Sequence, residues 1–87
     1  TMPEVSRFFG IVIRMFFDDH DPPHFHARYG DTESLVTIDP IAEMWGDLSR
    51  RALSMVIEWA ALHQYELMDN WERLHTDRPL FKIDPLR

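Results

Sequence analysis

Cysteine does not occur anywhere in the 87 residues. Disulfides, thiolate nucleophiles and Cys-type zinc sites are therefore excluded, and any metal must be held by His and carboxylate groups. A chain without disulfides suits a reducing compartment, and the cytoplasm is the expected location. Long apolar runs are missing too, and the opening Thr-Met-Pro-Glu-Val-Ser-Arg has neither the basic start nor the apolar stretch of a signal peptide. No membrane association is expected, and Thr1 ahead of Met2 reads as an added residue. Positive charge is scarce, with nine Lys and Arg against fifteen Asp and Glu, a net charge of -6. This balance opposes broad attraction to polyanions, because phosphate contacts need clustered Lys and Arg. Nucleic acid is left only as a substrate held at a local site, for example where Arg7, Arg14 and Arg28 converge. The acidic group Asp18, Asp19, Asp21, Asp31 and Glu33 suits a cation or a basic partner protein instead. The absence of a Walker loop and of GxGxxG, GxSxG and HExxH motifs removes the nucleotide-binding, serine-hydrolase and zincin readings.

What is present is a 45% hydrophobic chain of a length that supports one core, so residues 1–87 are expected to form one domain. Residues 4–9 and 11–17 are rich in β-branched and aromatic side chains and are separated by Gly10, which predicts two strands or one bent strand. Ile11, Ile13, Met15 and Phe17 fall on one face of the second stretch and Val12, Arg14 and Phe16 on the other, a pattern expected of a strand covered on both sides. His24 to Tyr29 and Leu35 to Ile38 read as further strands, with Gly30-Asp31 between them as a turn. A meander of three to four antiparallel strands over residues 4–38 follows. Ile41 to Gly46 is ambiguous, and Trp45 beside Gly46 suggests a buried anchor at a turn. All three tryptophans, Trp45, Trp59 and Trp71, are expected in the core.

Residues 47–76 have helical periodicity, with Asp47 as the expected cap and Ala52, Val56, Trp59 and His63 recurring on one stripe. One helix from Leu48 to His75 would be about 40 Å long at 1.5 Å per residue, too long for a domain of this size. A break between His63 and Tyr65 is therefore predicted, giving two helices on one face of the sheet. Pro79 ends the helical part, and residues 79–87 form a tail that adds an edge strand or packs on the core. The fold class is thus α+β.

Three of the five histidines, His20, His24 and His26, lie within seven residues, beside Asp18, Asp19 and Asp21. Residues two apart on a strand project to the same side, so His24 and His26 should emerge together while Phe25 enters the core. Two chemistries use such a pair. His20, His24 and His26 with Asp18 or Asp19 offer the donors of a divalent metal site, zinc above all, with His63 as a further ligand from the helix stripe. Alternatively, imidazoles act as general base and acid in hydrolysis, His20, His24 and His26 being the catalytic set and Arg14 stabilising developing charge. Taken singly, each histidine is more simply a structural residue, and clustering beside a Pro-stiffened loop favours a site. His63 alone reads as a hydrogen-bonded core histidine, and His75 as an exposed residue or a favourable charge at a helix end.

The stretch Ser6-Arg7-Phe8-Phe9-Gly10-Ile11-Val12-Ile13-Arg14 followed by Asp19-His20-Asp21-Pro22-Pro23-His24-Phe25-His26-Ala27-Arg28-Tyr29-Gly30 resembles the small prokaryotic family catalogued as domain of unknown function 4160. The likeness continues through Glu58-Trp59, His63, Glu66-Leu67 and Asn70-Trp71. Ser49 departs from the proline of many relatives, which bears on helix capping. The resemblance implies a small neighbouring partner protein and, for some members, the toxin role of a toxin-antitoxin pair. The expectation is then a toxin-like hydrolase or nuclease paired with an antitoxin-like protein, the alternative being a non-catalytic module that binds a partner or a metal.

Overall fold

The computed structural model describes residues 3–87, and the reading of Thr1 as an added residue lies outside them. Five strands, β1 Glu4–Phe8, β2 Ile11–Arg14, β3 His24–Tyr29, β4 Thr32–Ile38 and β5 Ile41–Gly46, form one antiparallel sheet in chain order. Helices α1 Arg50–Leu62 and α2 Gln64–Leu74 follow. The α+β class and the pair of helices agree with the sequence; the strand count is five where three to four were expected.

Local chemistry accounts for the difference. Phe9 and Gly10 both take positive φ, 52° and 81°, and so close a two-residue turn that makes β1 and β2 separate strands. The meander does not stop at residue 38 as expected, and Asp39-Pro40 is no terminator. It occupies a turn from which the chain returns as β5, with Ile38 opposite Ile41 and Thr37 opposite Ala42.

Alternation sorts the side chains. Ile11, Ile13, Phe25, Ala27, Val36 and Ile38 are fully buried and face the helices, where they meet Val56, Trp59, Ala60 and Leu67. Trp59 is the hub: its ring lies 5.3 Å from Phe8 and 5.8 Å from Phe25, centroid to centroid. Fully burying one such side chain contributes about 1.5–3 kcal/mol. The opposite face of the sheet is not covered, which corrects the expectation for β2. Val12 and Arg14 are only half-buried because both helices pack on one side. Trp45 is also not a core residue. It stands opposite Leu35 on the uncovered face and is 64% exposed.

The helical region starts later than expected. Ser49 caps α1 by accepting from Ala52 N at 3.1 Å, whereas Asp47 accepts from Glu33 N at 3.0 Å and ties the incoming chain to β4. The break falls at His63, within the predicted interval. Gln64 then holds α2 to the sheet by donating to Ile38 O at 2.7 Å.

The tail packs and forms no strand. Trp59 Nε1 donates to Asp84 O at 2.8 Å, Ile83 N donates to Val5 O at 2.9 Å, and buried Asn70 both donates to Phe81 O and accepts from Phe81 N. No helix of the described residues is long and apolar enough to cross a membrane.

Candidate metal centre

Strand β3 sets the site. Phe25 and Ala27 point into the core, so His24 and His26 project from the other face of the sheet, their rings 5.5 Å apart. The chain between β2 and β3 folds back over them. Asp19 N donates to Phe16 O at 3.2 Å, and this tight return brings the Asp19 carboxylate to both rings. Its Oδ2 lies 2.8 Å from His26 Nε2 and 3.4 Å from His24 Nε2. Ligand atoms of Asp19, His24 and His26 all lie within 4.8 Å of one another, with His24 buried and the other two half-buried.

Each imidazole is also held from behind. His24 Nδ1 donates to Pro22 O at 2.8 Å, and His26 Nδ1 faces Glu33 Oε2 at 3.0 Å. The Pro22 carbonyl can only accept, so His24 Nδ1 carries a proton, whereas His26 lies between two carboxylates that can each take its ring N–H. Both Nε2 atoms face the same carboxylate oxygen. Phe16 packs its ring against His26 at 4.7 Å in a T-shaped contact, which limits rotation of that imidazole.

Helix α2 braces the loop. Trp71 lies 5.5 Å from the His24 ring and 4.2 Å from that of His75. His75 in turn points Nδ1 at Trp71 O, 2.7 Å, and Nε2 at Asp19 O, 2.8 Å. Two carbonyl acceptors on one ring require two N–H donors, so the charged form is favoured. The His75 pKa is raised above 6.5, first by the Asp19 carbonyl and then by that of Trp71.

The structure thus brings together Asp19, His24 and His26 of the residues singled out from the sequence. His20 is exposed and stands outside the group. His63 does not join it either; its Nδ1 pairs with Glu66 Oε1 at 2.6 Å and its ring lies 5.6 Å from Trp59. Arg14 is placed opposite His26 in the β2–β3 register and opposite Glu4 in the β1–β2 register. Two residues have contacts at the site that the sequence reading does not assign to it. Glu33 stands in the sequence only as one member of the acidic group, and the hairpin closed at Gly30-Asp31 sets His26 opposite Leu35 and places Glu33 diagonally across from it. Counting back from the turn reveals that proximity. His75 carries no comparable signal, since nothing local indicates that a helix end will reach residue 19.

Residues 10–72 match the model of a family described as a domain of unknown function, DUF4160. The chain belongs to that family. The matched span contains the entire Asp19, His24, His26 and Glu33 group, while His75 and the tail of this DUF4160 chain lie beyond it. No curated protein and no solved structure matches the chain.

Proposed function

We propose that Asp19, His24 and His26 hold a divalent metal ion, zinc by donor chemistry, and that this DUF4160 chain is a small metal-assisted hydrolase. One observation carries the reading: two Nε2 atoms converge on one Asp19 oxygen while both Nδ1 atoms are engaged elsewhere. With Nδ1–H on each ring, the two Nε2 atoms and that oxygen form a donor set that one metal ion can share. Glu33 behind His26 and the Pro22 carbonyl behind His24 are the outer contacts that metal-binding histidines use. Size supports the same view. Tetrahedral zinc with bonds of about 2.0–2.1 Å separates its ligands by about 3.3 Å. The 3.4 Å contact fits that separation, and the 2.8 Å contact needs to open by about half an ångström.

Three protein donors leave a coordination position for water or substrate, the arrangement of catalytic rather than structural zinc. When bound, the ion would supply Lewis acidity and lower the pKa of coordinated water. The chain's own residues fix the geometry: Asp19 and the two imidazoles position the ion, Glu33 orients His26, and Phe16 shields that ring from water. The toxin role and the antitoxin-like partner implied by the family resemblance belong to this proposal as its biological setting, with the hydrolytic site as the effector. Arg14 beside His26 favours a second reading, a metal-free nuclease in which the histidines exchange protons and the guanidinium stabilises a phosphate. Zinc titration of the purified, tag-free protein by calorimetry distinguishes the two. One ion per chain, lost in His24→Ala and His26→Ala, is expected; the absence of uptake by the native chain refutes the metal reading.

A further inference from the structure

A groove of about 660 Å³ borders the candidate centre, formed where β2 runs into the loop and meets the end of α2 and the tail. Met15, Phe16 and Phe17 line one side and Leu74 and Leu80 the other, with Asp18 at the rim. Two residues join this groove to the site. Phe16 is a wall of the groove and also rests on the His26 ring at 4.7 Å, and Asp18 immediately precedes Asp19. Phe17 is 74% exposed, an aromatic side chain in water beside the groove. The volume falls within the roughly 300–1,000 Å³ of small-molecule sites.

Charge narrows the occupant. A net charge of -6 and Asp18 at the rim repel phosphodiesters and other polyanions. The lining side chains are mostly hydrocarbon, Met15, Phe16, Phe17, Leu74 and Leu80, so the groove favours an apolar chain over a sugar or a peptide backbone, whose polar groups would find few partners there. We infer that the groove takes the apolar acyl chain of an ester or amide whose carbonyl lies at the Asp19, His24 and His26 centre. This inference rests on the metal reading above. The reaction is hydrolysis: water adds to the acyl carbon, the C–O or C–N bond breaks, and a carboxylic acid forms. The alcohol or amine leaves with the proton taken from the water.

Hydroxamic acids test binding without turnover, since the head group chelates zinc and the chain reports the groove. Acetohydroxamic and octanohydroxamic acid are titrated into zinc-loaded protein, after zinc occupancy has been measured separately. Each buried methylene should strengthen binding about fourfold, so the eight-carbon probe is expected to bind at least 50-fold more tightly than the two-carbon one. Phe17→Ser, at an exposed position with little folding cost, and Leu80→Asn should each reduce that ratio at least fivefold while leaving zinc and acetohydroxamate affinity unchanged. Equal affinities at full zinc occupancy overturn the groove assignment alone, as does a ratio that survives both substitutions. Failure of the native chain to take up zinc overturns the metal reading and this inference together.

Discussion

Removing the carboxylate behind His26 should weaken metal binding without touching a ligand. Glu33 Oε2 lies 3.0 Å from His26 Nδ1, the geometry in which an outer acceptor raises the basicity of a coordinating imidazole. Losing such a contact typically costs 10- to 100-fold in affinity. Glu33→Gln keeps the shape and loses the charge, so about tenfold is expected; Glu33→Ala should approach the upper figure. Thermal denaturation reads this directly. At zinc one hundred times the native dissociation constant, binding stabilises the native chain by about 2.7 kcal/mol, and a tenfold weaker variant by about 1.4 kcal/mol. For a domain of this length the difference of about 1.3 kcal/mol corresponds to roughly 5–10 °C in Tm. Scans with and without zinc remove any effect of the substitution on the metal-free fold. A zinc-induced shift in Glu33→Gln equal to that of the native chain would refute the assigned role of Glu33.

Further outcomes follow from other contacts. Asn70→Ala leaves Phe81 N and Phe81 O without their partner beside a fully buried position, and should cost about 2–4 kcal/mol in urea unfolding, with the tail becoming protease-sensitive. Gly46→Ala should destabilise by about 2–3 kcal/mol, because φ is 140° and an added Cβ would collide with the Ser34 backbone; unchanged stability would contradict the β4–β5 register. The raised pKa of His75 gives a signed pH dependence. Its contribution is fully present below about 6.5 and is lost as pH rises through the higher folded-state value. Native and His75→Gln stabilities, measured by urea unfolding from pH 5 to 9, should therefore converge toward the alkaline end.

Much of this fold can be read from alternation and spacing. The apolar face of β2, the His24, Phe25 and His26 alternation and the break at His63 are consequences of strand and helix periods and of a length limit. Trp45 shows where that reasoning ends. Its hydrophobicity argued for burial, but whether a strand face is covered depends on where the helices dock, which no local pattern encodes. The cap was misassigned for a related reason: Asp47 and Ser49 are both good caps, and the demand of Glu33 N for an acceptor decides between them. At the site, the strand pair His24 and His26 was legible. Asp19 was one of several nearby carboxylates, and only the folded loop distinguishes it from Asp18 and Asp21. His20 seemed equivalent to its neighbours until the loop turned it toward solvent.

All four groups at the centre, Asp19, His24, His26 and Glu33, belong to a single loop and hairpin. Closing so short a segment costs little chain entropy compared with docking distant helices. The ligand set can therefore assemble early, while α1 and α2 are still searching for the sheet. An ion captured at that stage would lower the barrier to folding as well as stabilise the product, so zinc should accelerate refolding and not merely retard unfolding.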